Sequence, residues 1–301
     1  MVKKRSNLFI LIGLGLIWST FAIFTKIPAE VLPPYFVAFS RLAIGGALIY
    51  IFVLFKEKKV FLPKNFRHYA IVGFFNSALP FSLFAIAAKP LDSGIVAILD
   101  GTVPMFEVLI SILVLRKHVD QNALIGVFFG FVGVVATSFG DGIDLNSLRQ
   151  NIAFIIAILI ACSSYAGASI YINRRCQHVE PLVMACGSVI FAALILSPSL
   201  WFCDFTAITS KAALSLMALG VFCTGIAYIY YFKITAEEGS RFAVSVVLLI
   251  PVFGAIFGSL FLGETITINK IIGCTMILVS MKFILNLSRK DFFKSKTAHI
   301  V

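Results

Sequence analysis

The feature that most constrains this chain is the recurrence of ten apolar stretches, each close to the 20 or so residues of helix that a bilayer core about 30 Å thick requires. They run over residues 7–25, 34–55, 68–88, 93–115, 122–139, 151–172, 181–203, 212–232, 241–262 and 269–287. In lipid the backbone must satisfy its own polar groups, so the expected fold is all-α and integral to a membrane. The connecting segments are short and leave no room for a soluble catalytic domain. Composition agrees, with 60% apolar and 13% charged residues, 31 of the 301 being Phe; soluble domains carry about 25% charged residues. A cytosolic enzyme, a secreted domain and a disordered tail are thereby excluded. Lys3-Lys4-Arg5 ahead of an apolar run has the outline of a signal peptide, but nine further spans make that run the first helix.

A net charge of +11 would suit a nucleic-acid partner only if the basic residues shared a soluble face. Here they flank apolar runs, so the expected partners are the lipid bilayer and a small-molecule substrate, with no nucleic acid. Laying the spans alternately across the membrane puts eighteen Lys and Arg on the side of the N-terminus. Five fall opposite, namely Lys26, Lys89, Arg149, Lys211 and Lys270, while Arg41 and Lys282 lie inside spans. By the positive-inside rule both termini are expected in the cytoplasm. Cys162, Cys186, Cys223 and Cys274 sit within apolar runs, so all six cysteines are read as free thiols. The four histidines are scattered and no CxxC occurs, which gives no expectation of a metal site.

Sliding the chain against itself brings matches at a constant offset of 147 residues. Pro34 falls on Pro181, Lys64 on Lys211, Gly73 on Gly220, Ser93 on Ser240, Pro104 on Pro251 and Gly126 on Gly273. Trp18 falls on Tyr165 and Phe81 on Tyr228, so aromatic bulk is kept as well. Residues 1–147 and 148–290 then form two five-helix repeats, with 291–301 a basic cytoplasmic tail. An odd number of spans per repeat turns the second upside down, an architecture of secondary transporters. Loop charge agrees, because Arg116-Lys117 falls on Gly263-Glu264, which carries no positive charge.

Several of these residues carry a resemblance. Trp18-Ser19, the run from Pro34 through Arg41, the fourth span with Pro104, and Pro251 followed by Leu262-Gly263-Glu264 and Gly273 resemble the drug/metabolite transporter superfamily, EamA type. The similarity covers nearly the whole chain, and its motifs are specific in order and spacing. What it implies is a central cavity between helices 1 to 4 and 6 to 9, with helices 5 and 10 packed outside. It also implies a bacterial inner membrane, amino acids or related small metabolites as solutes, and export as the direction.

Within that frame, prolines at matched places in spans 4 and 9, Pro104 and Pro251, each remove a backbone hydrogen bond. Interrupted helices at corresponding positions point to a transport site, although a kink for packing is an equally local explanation. Ser93, Ala97, Asp100, Pro104, Glu107 and Ser111 recur at spacings of three and four and so share one face of span 4. An Asp at the membrane centre costs roughly 2.5 to 3.5 kcal/mol, so that face should meet a cavity or another helix. Arg41 and Asp100 each lie seven residues into their spans, roughly 10 Å below the same boundary. They are placed either to pair with each other or to leave Arg41 free to bind a substrate carboxylate. Glu107 lies deeper with no basic residue placed to neutralise it; it is a candidate proton carrier, a counter-charge for a cationic solute, or a hydrogen-bonded member of a packed interface. Trp18, Tyr165, Tyr228 and Tyr231 are candidates to line the cavity, core packing being the alternative. Gly126, Gly130, Gly254 and Gly258 read as packing residues, Glu264 as a cap or flank ion pair, and Trp201 as an interfacial anchor.

No nucleotide-binding loop or catalytic Ser/His/Asp set is evident, so no cofactor is expected and proton coupling is the available energy source. The reading is a secondary transporter of amino acids or related small metabolites working by alternating access. The alternatives are a transporter of organic cations, drug-like or S-adenosylmethionine-like, using the intramembrane carboxylates and, more remotely, an intramembrane enzyme or assembly factor.

Overall fold

Among the described residues, ten helices long and apolar enough to cross a membrane follow one another. They are α1 (Asn7–Ala29), α2 (Pro34–Phe55), α3 (Pro63–Ala88), α4 (Ser93–Leu113), α5 (Gln121–Ser138), α6 (Asn151–Arg175), α7 (Pro181–Phe202), α8 (Ser210–Glu238), α9 (Phe242–Leu262) and α10 (Ile268–Leu285). This computed structural model describes residues 2–60, 62–116, 118, 120–138 and 145–285; the tail expected over 291–301 lies outside them. No strand occurs among the described residues, as ten apolar runs dictate.

Local chemistry sets many of the ends. Pro34 and Pro181 open α2 and α7 at a position whose N–H has no intrahelical partner. Thr209 caps α8 by accepting from the Ala212 N–H at 3.2 Å. Gly263 closes α9 in the left-handed region at φ 68°, which a side chain adopts only with strain.

Several helices are broken inside the span. The α-helix of α1 stops at Ser19 and resumes at Phe21. In α4 an α-helix over Ser93–Asp100 ends in a turn at Gly101 and Thr102 before a second begins at Val103. In α9 the segment Ser245–Leu248 tightens to a 3-10 turn ahead of Leu249–Leu262. The expectation that the prolines themselves mark the interruptions is thus corrected by a few residues. Pro104 sits in the first turn of the second half-helix, where its missing N–H costs nothing. Two π segments, Phe74–Ala78 in α3 and Leu219–Ile226 in α8, overlap at the 147-residue offset.

The packing exchanges the halves. α1 lies on α8 and α9, while α6 lies on α3 and α4; α2 meets α8 as α7 meets α3. Helices α2 and α7, α4 and α9, and α5 and α10 each pair with their own counterpart. Adding five to every helix number returns the same set of contacts, which is how two halves related by a two-fold axis must pack. The α5–α10 pair depends on small residues. A Cβ on Gly133 would stand 3.0 Å from the Gly273 carbonyl oxygen, and one on Gly126 would stand 2.9 Å from that of Ser280. Close backbone approach of this kind is the usual basis of association in lipid. In α9, Gly254 is closed off by the Ala97 side chain of α4.

The exchange is not exact: α4 also packs on α10 where α5 makes no comparable contact with α9, and the two faces differ. The end of α1, Phe21–Ala29, touches the end of α3, Leu79–Ala88, on the face carrying Lys26. The counterpart on the opposite face, the end of α6 against the end of α8, makes no comparable contact. All six cysteines are free, and Trp201 is 85% exposed at the end of α7.

Candidate functional site

The broken helices of both halves converge on a polar interior. Arg41, on α2, is 7% exposed. Its Nε donates to Thr224 Oγ1 of α8 at 2.9 Å, and its Cζ lies 3.8 Å from the centroid of the Phe81 ring. A hydrogen bond from a charged donor and a desolvated cation–π contact together fix the guanidinium plane. Thr224 belongs to the π segment of α8, and Phe81 follows the π segment of α3, so each partner is presented next to a widened turn.

The ion pair that equal depth allowed between Arg41 and Asp100 is not formed. Among the described residues the ion pairs are Lys26 with Asp92 and Glu264, Lys58 with Glu180, and Lys270 with Asp92. Depth along a membrane says nothing about lateral direction, and the partners of Arg41 come from α3 and α8 instead. The guanidinium still acts on Asp100 through the low-dielectric interior, and both act on Tyr165 of α6. Asp100, Tyr165 and Tyr228 all lie deep among the helices, yet each keeps some accessible surface. Partial exposure inside a bundle marks side chains that their neighbours do not pack completely.

Beneath Asp100, at the break in α4, the Leu99 carbonyl accepts from the Thr102 N–H at 3.0 Å and from Thr102 Oγ1 at 2.8 Å. Pro104 cannot donate to the Asp100 carbonyl, and the Cys162 thiol of α6 lies 3.6 Å from the carbonyl oxygen of Leu99 and 4.0 Å from that of Asp100. Pro251 is buried at the equivalent place in α9, where the Leu249 carbonyl accepts from Ser19 Oγ at 3.3 Å. Trp18 of α1 donates from its indole N–H to the Cys223 carbonyl of the α8 π segment at 3.0 Å. Ser164 of α6 donates to the Phe75 carbonyl of the α3 π segment at 2.6 Å. One residue off register, the two halves therefore hold their π segments in the same way.

Glu107 occupies a second region. It is half-buried, has Ser169 as its polar neighbour and acts on Tyr231, whose ring stands 5.3 Å from that of Trp18. It belongs to none of the ion pairs. The eight residues singled out from the sequence (Trp18, Arg41, Asp100, Pro104, Glu107, Tyr165, Tyr228 and Pro251) all fall on helices α1, α2, α4, α6, α8 and α9. Phe81, Cys162 and Cys223 were missed as site residues. The matching of Phe81 to Tyr228 across the repeat was the one available signal for the first.

Glu264 serves as a cap and an ion-pair partner, as its loop-edge position led one to expect. Its carboxylate accepts from the Ser93 N–H at 2.7 Å, Ser93 Oγ at 2.9 Å and the Gly94 N–H at 3.0 Å, at the start of α4. Negative charge belongs at a helix N-terminus. Lys270, expected as an outer flank charge, is instead 2% exposed and reaches Asp92 Oδ2 at 2.5 Å.

Ten membrane-crossing helices, several of them interrupted, thus hold a buried cation and a partly buried carboxylate between them, on the fold of a membrane transporter. The chain belongs to the EamA-like transporter family, whose model matches residues 5–139 and again residues 152–286. It is 24% identical over 274 residues to the uncharacterized transporter YoaV of Bacillus subtilis (strain 168), covering 89% of this chain and 92% of that one. It is 25% identical over 289 residues to the uncharacterized transporter YvbV of the same organism, covering 93% and 92%. A S-adenosylmethionine/S-adenosylhomocysteine transporter of Chlamydia muridarum (strain MoPn / Nigg) is 24% identical over 276 residues, covering 86% and 85%. A solved crystal structure superposes with a TM-score of 0.65 over 92% of this chain and 96% of that one at 19% identity, a likeness of fold.

Proposed function

We propose that this protein is a secondary transporter of amino acids or related small metabolites, working by alternating access about the interrupted helices α4 and α9. Both termini face the cytoplasm of a bacterial cell, the face carrying Lys26 is outer, and export is the direction of net transport. The observation that carries the reading is the separation of Arg41 from Asp100. A buried cation and a partly buried carboxylate lie inside the same bundle without pairing, and Thr224 and Phe81 hold the cation in place. A zwitterion satisfies both charges at once, with its carboxylate on the planar donors of Arg41 and its ammonium on Asp100. Protonation of Glu107 is the coupling step in this scheme.

A second reading is favoured by the region around Glu107. A carboxylate with no basic partner beside the Trp18 and Tyr231 rings suits an organic cation, including an S-adenosylmethionine-like one. The Chlamydia relative gives that class a precedent.

The test is ligand-dependent thermal stabilisation of the purified protein, screening amino acids, nucleosides and organic cations at two pH values. Stabilisation by zwitterions that survives Glu107→Gln and is lost in Asp100→Asn supports the first reading. Stabilisation by cations alone, lost in Glu107→Gln, replaces it with the second.

A further inference from the structure

The most heavily bonded cluster of charges in the described protein is not in the chamber but above it, where the two halves meet on the Lys26 face. Glu264 comes from the α9–α10 loop of the second half and grips the first turn of α4 in the first half through three hydrogen bonds. Its side chain is 7% exposed and also meets Lys26 Nζ at 3.3 Å, at the end of α1. Lys26 donates to the Leu91 carbonyl at 2.9 Å, and Lys270 ties Asp92 to the Thr265 carbonyl at 2.5 and 2.7 Å. Two cations and two carboxylates thus neutralise one another across the boundary between the halves.

The fit leaves no slack. A Cβ on Gly258 would lie 2.5 Å from Glu264 Oε2 and 2.6 Å from Ser93 Oγ, so only glycine makes room for the carboxylate. Among the described residues of the opposite face the same construction does not occur. In the sequence, the 147-residue offset matches Glu264 to Lys117, which lies outside the described residues. Gly239 stands where Asp92 does, exposed, with open space around the position of a Cβ. Asn173 stands where Lys26 does and is exposed as well. The gap between the ends of α6 and α8, against the closed contact of α1 and α3, lies on that same face.

From these observations we infer that Glu264, held by Lys26 and Lys270, is the outer latch of the transport cycle: it seals the chamber on the Lys26 face by fastening α4 to the opposite half, and it must release Ser93 and Gly94 before the chamber opens outward. Glu264 is a positioning residue. It touches no solute and acts through α4, the helix that carries Asp100 and Glu107. Among the described residues the opposite face joins the halves through the exposed Lys58–Glu180 pair and through Asn7 on Glu237 and Glu238, with no carboxylate on a helix N-terminus of α9, so the empty protein rests closed to the outside and open to the cytoplasm. The inference rests on the alternating-access reading and adds to it the group that decides which side is shut.

The test reads sidedness of access and needs no knowledge of the solute. Val247, matched to Asp100 by the repeat and half-buried in α9, becomes the reporter as Val247→Cys, with the six native cysteines replaced by Ser or Ala. The probe is a membrane-impermeant, permanently cationic methanethiosulfonate, applied to right-side-out and to inverted vesicles. The parent reporter is expected to react from the cytoplasmic side only. Glu264→Gln is expected to make it react from outside, with Glu264→Asp intermediate because the charge is kept but withdrawn by one methylene. A staple gives the converse. A Cβ on Gly94 would lie 3.6 Å from that of Ala255, within the range of a disulfide, so oxidised Gly94→Cys/Ala255→Cys should restore closure to the outside in the Glu264→Gln background until reduced. A reporter reached from the cytoplasm and unmoved by Glu264→Gln overturns the latch alone. A reporter reached from neither side in every variant overturns alternating access and the latch with it.

Discussion

Thr224→Val removes one oxygen from the interior and keeps the volume of the side chain, which isolates the hydrogen bond that orients Arg41. The bond is 2.9 Å long, comes from a charged donor and is buried at both ends. Bonds of that kind contribute about 1.5 to 3 kcal/mol. Without it the guanidinium keeps its contact with Phe81 but gains freedom to turn toward Asp100. A contact ion pair at about 4 Å in a medium of effective dielectric near 20 is worth about 4 kcal/mol before desolvation, so the turn is driven. A zwitterion then has to break an internal pair to bind. At about 1.4 kcal/mol per decade the dissociation constant should rise about tenfold to a hundredfold. The assay is titration of the best-stabilising amino acid against the purified variant at 25 °C. In the Asp100→Asn background the guanidinium has no carboxylate to turn to, so Thr224→Val should there add less than about threefold. A dissociation constant within threefold of the parent for Thr224→Val in the unmodified protein would refute the argument that Thr224 keeps the two charges apart.

Other substitutions separate the parts of the structure. Gly258→Ala forces the Glu264 carboxylate off the start of α4 and should lower stability by about 2 kcal/mol, read as a lower unfolding midpoint in detergent; Gly13→Ala, with open space around its Cβ, should leave the midpoint unchanged. Lys270→Met leaves the one-third-exposed Asp92 with Lys26 at 4.0 Å as its remaining cation and should cost about 1.5 to 3 kcal/mol. Lys58→Ala breaks the ion pair with the exposed Glu180, and its effect should stay under about 1 kcal/mol in the same measurement. Glu107→Gln should leave the folded yield and zwitterion binding intact while abolishing any uptake driven by a proton gradient in vesicles; full gradient-driven uptake would remove Glu107 from the coupling step.

Much of this was legible in the chain because lipid makes strict demands. The ten spans appear within a few residues of their expected limits, since 20 apolar residues admit no other use. The matches of Pro34 with Pro181 and Gly73 with Gly220 stand out because these positions restrict the side chain through backbone geometry. The role of Glu264 was legible from its place after Gly263, a residue that ends a helix in the left-handed region. What failed was lateral placement. Counting seven residues into α2 and α4 gives depth, and depth alone could not tell whether Arg41 turns toward α4 or α8. Nor did anything in α1 announce the break at Thr20, whose hydroxyl bonds back to the Ile17 carbonyl at 2.7 Å. The burial of Lys270 was hidden too, because a lysine near a span end looks the same whether it faces water or a carboxylate of another helix.

The π segments of α3 and α8 have a bearing on what the sequence can tolerate by way of length. Each winds one residue more into its turn than an α-helix would, so everything beyond it is rotated by about 100° relative to an uninterrupted helix. Phe81 and Tyr228 are matched across the halves and lie just past these turns. Deleting a single residue within 74–78 would relax α3 to an ordinary helix and swing Phe81 away from Arg41 without changing one chamber side chain. In these two windows the protein is keyed by phase, and a shortened helix there would be chemically complete yet aimed in the wrong direction.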